Sequence, residues 1–571
     1  MKWATSQGNS ERSAALAEGL GLSPFLASLM VDRGYENSQD ATAFLNPKLA
    51  DFINPLSLPG IEVAARRLVQ AIDNHEKVVV YGDYDVDGIT ATSLLLAFFR
   101  DLGFSADFML PSRFVDGYGL NPARVKEICE SGYQLLITVD CGSASREEIK
   151  YLTQAGVDVV VTDHHRVQED IPEAVAHLNP DCWSEHREFT VLAGVCVAYL
   201  LVMAVSILLK EEEKFASRVP PLKKYLDIVT VGTIADMVPL IGPNRVLVVH
   251  GMRQLATTRS RPGIIALREV SGLAGKPVDS TAIAFYMAPR INAAGRLGNA
   301  DVGVELLLSP SLSKALVFAG RLDDDNNRRR ELEGEIFSEA DRVVRAAIDK
   351  RDLRAIVLAS PQWHKGVLGI VASRLCEKYN RPTFLMVIED GIATGSGRSV
   401  AGFDLATALE KCRDVLLRYG GHAMAAGLSM QVEKLDSFRE RFEQLVTDAL
   451  GGRQPVLELA VDKIVPLVEV NQDMIRDLGC LAPFGMGNPE PVIGVRDVRI
   501  KSRQIVGGDH LKLMIEDDGR VLEAIGFRMG DLAVRVDDRV DIAFFPEIRA
   551  WGGTRYLQLR LKDIRPAGQE D

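Results

Sequence analysis

The sequence predicts an α/β protein in which two α/β domains are joined by a long helix and followed by a small C-terminal β-barrel. Three observations predict this architecture. Short runs rich in valine and isoleucine alternate with amphipathic segments over residues 77–240 and again over residues 354–450, which is typical of sheets covered by helices. A long helical pattern fills residues 311–352. Beyond residue 456 the pattern changes to alternating strands separated by glycine turns.

A chain of 571 residues is too long for a single hydrophobic core, so several domains are expected. The predicted segments are an N-terminal helical extension (1–70), a first α/β domain (71–310), a connecting helix (311–353), a second α/β domain (354–452) and a C-terminal barrel (453–571). The boundaries follow the points at which the hydrophobic pattern changes its period.

Four apolar strands and three helices predict the first α/β domain. The strands are Lys77–Tyr81, Ser105–Leu110, Leu135–Val139 and Val157–Thr162. The helices lie near Thr90–Leu102, Pro122–Ser131 and Ser145–Ala155. Because the strand runs are apolar almost throughout, they predict a parallel sheet that is buried on both faces.

The helical pattern of residues 311–352 carries a dense charge run, Asp323–Arg330, in its middle. At 1.5 Å per residue such a helix would reach roughly 60 Å. We interpret it as a solvated helix that bridges the two α/β domains. Beyond it, roughly five short strands in about 110 residues predict a small β-barrel such as an OB-fold.

The composition is that of an ordinary globular protein, with 47% hydrophobic and 25% charged residues. The net charge of −12 argues against a protein that coats nucleic acid through bulk charge, although a local basic groove needs only a few Lys and Arg. The seven cysteines are scattered and never form a C-x-x-C pair. This usage favours a reduced compartment without a zinc ribbon or a disulfide framework.

One segment, Phe189–Leu209, is uncharged for 21 residues and is long enough to span a bilayer. A helix buried between the layers of an α/β domain gives the same pattern, and we favour that interpretation. The N-terminus shows no apolar segment of a secretory signal. We therefore expect a cytoplasmic protein that does not associate with a membrane.

An aspartate cluster follows the first predicted strand. The sequence GDYDVDG (82–88) places Asp83, Asp85 and Asp87 at alternate positions, where like charges repel. A calcium EF-hand loop begins in the same way, but it needs a preceding helix and a glutamate at its twelfth position, which is Leu94 here. The glycines of a dinucleotide-binding fingerprint are missing as well. A carboxylate cluster at the carboxyl end of a strand remains, and open α/β sheets bind ligands at that edge.

Further acidic residues and two histidines follow later apolar runs. They are Asp140 after the third strand, Asp163, His164 and His165 after the fourth, and Asp236 after a later run. A single aspartate at such a place is most often a cap or a turn residue, and a His-His pair is more often incidental than a ligand. Gathered at one edge, however, these carboxylates would repel one another by several kcal/mol unless cations compensate. The donor set suits manganese or magnesium, and six candidate ligands predict two ions with a bridging carboxylate, an arrangement that hydrolyses phosphoesters.

Four ordered motifs, GDYDVDG (82–88), VDCG (139–142), TDHH (162–165) and GTIADMVPL (232–240), resemble those of the DHH phosphoesterase superfamily. The segments PRINAAGRLGNA (289–300), WHKGVLGIVASRL (363–375), GSGRS (395–399) and GGHAMAAG (420–427) resemble its associated C-terminal domain. LAPFGMGNPEP (481–491) and the β-rich tail are similar to a branch of single-strand-specific exonucleases. The resemblance implies a DHH catalytic domain, a DHH-associated substrate-binding domain and an OB-like nucleic-acid-binding barrel.

The resemblance assigns metal ligands by position. One ion is expected at Asp83, Asp85 and Asp140, and the second at Asp87, Asp140, His164 and Asp236, with Asp140 as the bridge. Some members of the superfamily carry a histidine at the position of Tyr81, and Asp83 is expected to stand in for it. His165 is expected to face the scissile phosphate as a hydrogen-bond donor or acid, while Asp163 orients its neighbours.

Residues that bind the substrate are implied in the same way. For a terminal phosphate they are Ser396, Arg398, Gly420, Gly421 and His422. Further candidates are Arg113, Arg290, Asn292 and Arg296. In the tail, the alternating Arg499, Lys501 and Arg503 would share one face of a strand.

The resemblance implies a two-metal exonuclease that degrades single-stranded DNA from its 5′ end, in DNA repair and recombination, with Mn²⁺ or Mg²⁺ as cofactors. The alternative is a small-substrate phosphoesterase of the same superfamily that acts on oligonucleotides or pyrophosphate, and the predicted barrel argues against it. A catalytically inactive scaffold would require lost ligands, whereas every candidate ligand is present. Single-stranded DNA is the expected partner, and a single-strand-binding protein and a helicase are further candidates.

Overall fold

The computed structural model describes residues 2–5, 8–113, 117, 119–167, 171–183, 185, 189–211, 217–257, 260–350, 352–451, 458–551 and 554–569. The chain divides into two compact units. The first unit comprises Met1–Ala288, Val304–Ala315 and Leu457–Asp571, and the second comprises Pro289–Gly303 and Leu316–Val456. The first unit holds a parallel sheet and a barrel, and the second holds a smaller mixed sheet.

The N-terminal region consists of a short strand and three helices that belong to the first unit. They are β1 (Lys2–Thr5) and the helices Ser10–Leu20, Pro24–Asp32 and Ser38–Leu45. The side chains of Asn9, Ser23 and Asn37 cap the three helices by accepting a backbone N–H of the first turn. The apolar faces of these helices pack into the same hydrophobic core as the C-terminal barrel.

A five-stranded parallel sheet forms the core of the catalytic region. Its strands are β2 (Val78–Gly82), β3 (Asp107–Met109), β4 (Leu135–Val139), β5 (Asp158–Thr162) and β6 (Ala176–Leu178). They lie in the order β3-β2-β4-β5-β6, so the chain adds β3 on one side of β2 and then returns to the other side for β4. Ligands of open α/β sheets bind at such a switch point, outside the carboxyl ends of the strands.

Four of these five strands were predicted. β2, β4 and β5 agree with the prediction to within one residue at each end, because continuous Val/Ile/Leu runs are buried on both faces. β3 is three residues long instead of six. β6 was not predicted, since its sequence Ala-His-Leu is too short to show a period.

Further helices lie before, between and after these strands in the sequence. They are Ile61–Asp73, Val86–Asp101, Pro122–Glu130, Arg146–Gln154, Gly194–Glu211, Leu226–Ala235, Gly242–Leu255, Pro262–Val270, Ser280–Ala282, Ala288–Leu297 and Asp301–Leu307. One π-helical turn, Ile283–Met287, precedes Ala288. The three helices predicted between the strands are confirmed, with bounds that differ by four residues at most.

The apolar segment predicted as a buried helix forms the helix Gly194–Glu211. In the described part of the chain it alone is long and apolar enough to cross a membrane, and 78% of its 18-residue window is buried inside the protein. It packs between the helices Ile61–Asp73 and Val86–Asp101. The prediction of a buried helix is therefore confirmed.

The second unit is built on a five-stranded mixed sheet. Its strands are β7 (Ile356–Ser360), β8 (Thr383–Glu389), β9 (Ile392–Arg398), β10 (Arg418–Gly421) and β11 (Ala425–Gln431), in the order β10-β11-β9-β8-β7. Its helices are Leu368–Tyr379, Leu405–Glu410 and Leu435–Leu450. Only β7 and β8 are parallel, and the other neighbours are antiparallel.

The predicted long helix spans Leu312–Ile348, which is 37 residues. The boundary between the two units falls in its first turn. Ile336, Ala340 and Val344 from its second half are buried in the core of the second unit. The expectation of a solvated helix is therefore wrong for this half, which packs as a core element, and the bridging role of the helix stays a prediction.

The C-terminal region forms the predicted barrel. Two short strands, β12 (Glu458–Val461) and β13 (Lys463–Ile464), and the helix Gln472–Cys480 lead into it. Its strands are β14 (Ile493–Val506), β15 (His510–Asp517), β16 (Arg520–Gly526), β17 (Arg539–Trp551) and β18 (Thr554–Pro566). They pair in the order β14-β15-β16-β18-β17, and β17 closes the barrel by pairing with β14. Three of the strands exceed 12 residues and are longer than the sequence suggested.

A buried arginine ties the parts of the first unit together. Arg245, which is 2% exposed, donates hydrogen bonds to the backbone carbonyls of Phe44, Leu481 and Ala482. Its guanidinium also lies 3.7 Å from the centroid of the Phe44 ring. Because a buried guanidinium needs every one of these acceptors, this residue fixes the N-terminal helices and the segment before the barrel to the catalytic region.

Candidate metal centre

The aspartate cluster lies where β2 runs into the helix Val86–Asp101. Asp85 is the N-cap of that helix, and its carboxylate accepts hydrogen bonds from the backbone N–H groups of Asp87 at 2.9 Å and Gly88 at 3.3 Å. The turn is tight, because a Cβ atom at Gly88 would lie 2.5 Å from the backbone nitrogen of Asp83. The glycine that ends the motif therefore allows three carboxylates to share one short loop.

Asp140 follows β4 in a left-handed backbone conformation, with φ +59°. This conformation is uncommon for a non-glycine residue and costs of order 1 kcal/mol or more, so the surrounding structure must hold it. The backbone N–H of Asp140 donates to the carbonyl of Thr162 at 2.9 Å. Gly194 packs against the side chain, since a Cβ atom there would lie 2.8 Å from Cβ of Asp140. Strain maintained by close packing is typical of a functional site.

His164 joins carboxylates from three different elements. Its Nε2 atom lies 3.1 Å from Oδ1 of Asp140, 3.6 Å from Oδ2 of Asp236 and 3.7 Å from Oδ2 of Asp87. These aspartates come from the loop after β4, from the end of a helix and from the first turn of another helix. A single imidazole nitrogen therefore faces groups that are distant in the sequence.

The six predicted metal ligands are brought together in overlapping groups. Donor atoms of Asp83, Asp85 and Asp140 lie within 4.8 Å of one another, and so do those of Asp87, His164 and Asp236. A third group of the same dimension joins Asp140 to His164 and His165. Asp140 thus belongs to the first group and contacts the second, which is the position of a bridging ligand.

Burial and mutual repulsion raise the pKa of four carboxyl groups in this cluster. Burial and the neighbouring Asp85 raise the pKa of Asp83 to about 8 and that of Asp87 to about 7. Burial and Asp87 raise the pKa of Asp236 to about 9, and the same two causes raise the pKa of Asp140 well above its ordinary value. The protein alone therefore does not balance the negative charge of this cluster.

Some donor atoms of the cluster are also left without hydrogen bonds. Among the residues that the structure describes, Oδ1 of Asp83, Oδ2 of Asp236 and Nε2 of His164 are buried and make none. Burial, together with the neighbouring His165, lowers the pKa of His164 to about 4, so the imidazole is in the neutral form that ligates metals. An oxygen-rich donor set with one imidazole suits Mn²⁺ or Mg²⁺. The residues present therefore fit two divalent cations.

Asp163 holds the loop that carries both histidines. Its Oδ1 accepts the backbone N–H groups of His164 at 2.8 Å and His165 at 3.1 Å, and it lies 2.8 Å from Nδ1 of His165. Burial opposes ionisation, but the bond to His165 outweighs it and lowers the pKa of Asp163 to about 2. Burial likewise disfavours the charged form of His165, and the bond to Asp163 outweighs it and raises the pKa of His165. The side chain of His165 is 45% exposed and that of His164 is 15% exposed, so His165 is the accessible member of the pair.

The local structure of Asp236 differs from the expectation. The sequence pattern groups it with the aspartates that follow strands, but it caps the C-terminal end of the helix Leu226–Ala235. A short buried apolar run is not distinguished from a strand by its period alone. Met237 follows with φ +61°, a left-handed conformation that ends the helix. A helix end therefore carries the predicted ligand that the sequence pattern attributes to a sheet edge.

Two backbone amides that hold Asp87 were not predicted. The N–H of Gly194 donates to Oδ2 of Asp87 at 2.6 Å, and the N–H of Val195 donates to Oδ1 at 3.0 Å. Both amides belong to the first turn of the helix Gly194–Glu211, where the helix dipole favours negative charge. The sequence Ala-Gly-Val offers no signal for this role apart from a glycine at the start of an apolar segment.

Arg113 and Tyr81 also lie near this edge. The guanidinium carbon of Arg113 is 5.4 Å from the centroid of the Tyr84 ring, and its charge opposes the rise in the pKa of Asp83. The hydroxyl of Tyr81 donates to the carbonyl of Gly119 at 3.0 Å, and its ring packs in the core against the sheet. Tyr81 is thus engaged in the core, while Asp83 belongs to the carboxylate group.

In the second unit, the residues predicted to bind a terminal phosphate lie on adjacent strands. Gly427 of β11 pairs with Ser396 of β9 on one side and with Gly420 of β10 on the other. Arg398 lies two residues after Ser396 on β9 and therefore points to the same face. A Cβ atom at Gly369 would lie 3.0 Å from Nη2 of Arg398, so this guanidinium packs beside the start of a helix.

Gly421 and His422 form an exposed turn after β10. Gly421 has φ +140°, and a Cβ atom there would lie 2.4 Å from the carbonyl oxygen of Ala425. The backbone N–H of His422 donates to the same oxygen at 2.8 Å. Only glycine fits this turn, which presents the imidazole of His422 to solvent.

A third predicted group shares the helix Ala288–Leu297 and consists of Arg290, Asn292 and Arg296. Nε of Arg290 lies 2.8 Å from Oδ1 of Asp323, and Nη1 of Arg296 donates to the carbonyl of Gly366 at 3.2 Å. Asn292 and Arg296 are one helical turn apart and share a face. The six ligands and Arg113 belong to the first unit, and the remaining predicted substrate residues belong to the second.

The alternating basic residues of the barrel do not form the predicted single face. A β-bulge at Lys501 interrupts the alternation of β14. Nε of Arg499 lies 2.9 Å from Oδ1 of Asp537, and Nη2 of Arg503 donates to the carbonyl of Gly530 at 3.0 Å. That prediction was wrong, because a bulge shifts the side-chain period and the arginines are engaged within the barrel.

Family models match three regions of the chain. The N-terminal domain of the DHH family matches residues 77–233, the DHHA1 domain matches residues 352–448, and the RecJ OB domain matches residues 461–563. These regions contain, respectively, the parallel sheet, the mixed sheet and the barrel.

Curated relatives match almost the whole chain. The single-stranded-DNA-specific exonuclease RecJ of Escherichia coli is 35% identical over 561 residues, which are 95% of this chain and 96% of that protein. RecJ of Bacillus subtilis is 35% identical over 99% of this chain and 70% of its own length. The crystal structure of RecJ in complex with Mn²⁺ from Thermus thermophilus has a TM-score of 0.85 and 32% identity, and the match covers 100% of this chain and 80% of that one. With these similarities over its full length and with all three domains matched, the chain belongs to the RecJ family of DHH proteins.

Proposed function

We propose that this protein is a two-metal-dependent exonuclease that hydrolyses phosphodiester bonds of single-stranded DNA from the 5′ end, in DNA repair and recombination. One observation carries the proposal. Six predicted ligands converge on one edge of a DHH sheet, where the raised pKa values of Asp83, Asp87, Asp140 and Asp236 and the buried donor atoms without hydrogen bonds fit bound cations. The relatives at 35% identity are single-stranded-DNA-specific exonucleases.

The ligand groups divide between two cations. Asp83, Asp85 and Asp140 would hold one, and Asp87, Asp140, His164 and Asp236 would hold the other. When bound, a pair of divalent cations supplies Lewis-acid polarisation of the phosphodiester and lowers the pKa of water. RecJ of Thermus thermophilus has been crystallised with Mn²⁺ and with Mg²⁺, and we assign the same two cations to this chain as cofactors.

His165 would act on the phosphate directly. Asp163 holds its Nδ1 at 2.8 Å, and the 45% exposed side chain makes the ring accessible to a phosphate oxygen. The raised pKa of His165 favours the charged form, a stronger donor to an anionic oxygen. Asp163 would remain ionised throughout, because the bond from His165 lowers its pKa to about 2 despite burial.

The second unit would hold the end of the strand. Ser396 and Arg398 on one sheet face, with the tight turn at Gly420, Gly421 and His422, offer a hydroxyl, a guanidinium, backbone amides and an imidazole to a terminal phosphate. Arg113, Arg290, Asn292 and Arg296 would contact further phosphates.

The barrel favours a polynucleotide over a dinucleotide or pyrophosphate. Residues 461–563 match the OB domain of RecJ, and OB folds bind single strands. We extend the partners to single-stranded DNA, a single-strand-binding protein and a helicase, and we place the protein in the cytoplasm without a membrane contact.

Digestion of end-labelled DNA tests the proposal. Single- and double-stranded oligonucleotides labelled at the 5′ or the 3′ end are incubated with Mn²⁺, Mg²⁺ or chelator. We expect immediate release of the 5′ label as mononucleotide from single strands only, and no release with chelator. Release of the 3′ label first would contradict the polarity, and digestion in chelator would contradict the metal dependence.

A further inference from the structure

A chain of buried hydrogen bonds lies behind His165. Asn179, which follows β6 and is fully buried, donates from Nδ2 to the backbone carbonyl of His165 at 2.8 Å and to Oγ of Ser143 at 2.9 Å. The backbone N–H of Ser143 in turn donates to Oδ2 of Asp163 at 2.9 Å. One carboxamide therefore connects the loops that follow β4, β5 and β6.

The orientation of this carboxamide is fixed by its third bond. Oδ1 of Asn179 accepts the backbone N–H of Asp181 at 2.9 Å. Because that oxygen faces a donor, the NH₂ group must face the two acceptors, and every polar atom of the side chain is used. Oγ of Ser143 also lies 3.0 Å from Nε2 of His177, so the hydrogen-bond network includes His177 as well.

These bonds hold the Asp163–His165 pair from both sides. Oδ2 of Asp163 accepts the backbone N–H of Ser143, and the backbone carbonyl of His165 accepts a hydrogen bond from Asn179. The ring of His165 is 45% exposed, so packing alone does not fix it. Its position depends on its bond to Asp163 and on the course of its own backbone.

We propose that Asn179 is a positioning residue of the exonuclease reaction, which sets the His165 ring against the scissile phosphate by fixing the loop of Asp163 and His165. The inference rests on the proposed function. The side chain of Asn179 forms hydrogen bonds with His165, Ser143 and Asp181. None of these three residues is among the six predicted metal ligands. Its loss should therefore slow the chemical step and leave metal binding in place.

Two variants test this role against a structural one. Asn179→Ala removes the three bonds, and Asn179→Asp keeps the shape and the acceptor for Asp181 while placing an oxygen against two acceptors. We expect both to lower kcat by about 10- to 100-fold, as the loss of a partner that orients an active-site group does. KM for single-stranded DNA and the affinity for Mn²⁺, measured by calorimetry, should stay within about threefold of wild type.

Asn488→Ala is the matched control. Asn488 is 1% exposed, and its Nδ2 also bridges two acceptors, the carbonyls of Leu481 and Pro483, both at 2.8 Å. We expect it to lower the melting temperature as much as Asn179→Ala does, because each variant removes the hydrogen bonds of one buried carboxamide. Its kcat at 25 °C should remain that of wild type.

A double-mutant cycle with His165→Ala decides between the two roles. If Asn179 acts through His165, then Asn179→Ala changes the residual kcat of His165→Ala by less than about twofold, because coupled residues are not additive. An equal loss in both backgrounds would overturn the proposal. So would wild-type kcat in Asn179→Asp. Wild-type protein that does not hydrolyse the strand would refute the proposed function instead.

Discussion

The helix Leu226–Ala235 carries a buried aspartate in its first turn and a half-buried one just past its end, and the charges of the two are balanced in different ways. Asp227 accepts two hydrogen bonds from the guanidinium of Arg261, at 2.9 and 3.0 Å, and the side chains are 1% and 13% exposed. Asp236 has His164 as its one ion-pair partner in the described part of the chain, and burial raises its pKa to about 9. Among the described residues, an arginine pairs with the aspartate at one end of the helix, and no Lys or Arg forms an ion pair with the aspartate at the other end.

The difference distinguishes a carboxylate that pairs with an arginine from one that is a predicted metal ligand. A buried charge with an in-chain partner is stable in the folded protein by itself, although removing the partner is costly. A group of buried carboxylates without Lys or Arg partners is stable only when protonated or when cations bind. Within the described chain, carboxylates that lack a Lys or Arg partner therefore indicate where cations would bind.

The largest effect on activity is expected at Asp140, the predicted bridging ligand of the carboxylate cluster. Asp140→Asn should lower kcat with Mn²⁺ by roughly three orders of magnitude or more, because several kcal/mol of charge stabilisation are lost with both ions. Hydrolysis of a 5′-labelled single strand measures the loss. Asp158→Asn is the matched control, since Asp158 begins the neighbouring strand β5 at the opposite edge and pairs with Arg67 at 2.6 Å. If Asp140→Asn retained a tenth of wild-type activity, the bridging role would be wrong.

The next largest effect is expected at the ion pair between Asp227 and Arg261. Arg261→Met should lower the free energy of unfolding by about 3–5 kcal/mol, because it leaves the buried Asp227 without a countercharge. Thermal unfolding in chelator measures the change. The double variant Arg261→Met with Asp227→Leu should recover most of the stability, since an apolar pair replaces the ion pair. If the double variant did not regain this free energy of unfolding, the loss would come from the packing of the Arg261 side chain and not from its charge.

Mn²⁺ should stabilise the folded protein by binding at the carboxylate cluster, and this gain should not depend on the Asp227–Arg261 pair. At a free Mn²⁺ concentration of 100 times its dissociation constant, the ion should add about 2.7 kcal/mol to the free energy of unfolding, because it binds the folded state. The melting temperature with Mn²⁺ and with excess chelator measures the gain. Arg261→Met should show the same gain from a lower starting point, and Asp140→Asn should show little or none. An equal gain in Asp140→Asn would place the binding elsewhere.

The smallest effect is expected for Asp236→Asn without metal. Its free energy of unfolding in chelator should be unchanged or higher by about 1 kcal/mol at most, because the variant removes a half-buried carboxyl whose charged form is disfavoured. Thermal unfolding at pH 8, compared with Arg261→Met under the same conditions, measures this contrast. A loss as large as that of Arg261→Met would show that Asp236 is a structural residue.

The sequence predicts the parts of this site that depend on local pattern. β2, β4 and β5 follow from buried Val/Ile/Leu runs, and five of the six ligands follow these strands or lie in the next helical turn. The topology then brings them together, because parallel strands end at the same edge of a sheet.

The remainder depends on tertiary structure that a local pattern does not encode. Asp236 lies at a helix end because the run before it packs as a helix, and a short apolar run fits either element. Asn179 reads as a turn residue before a proline, and only the position of β6 brings it behind His165. The bulge at Lys501 likewise follows from strand pairing in the barrel.

Anomalous diffraction from crystals grown with Mn²⁺ locates the ions without reference to activity. We expect two peaks at the carboxyl edge of the parallel sheet. One should be ligated by Asp83, Asp85 and Asp140, and the other by Asp87, Asp140, His164 and Asp236. A map without a peak among these side chains, or with Asp140 bound to neither ion, would contradict this assignment.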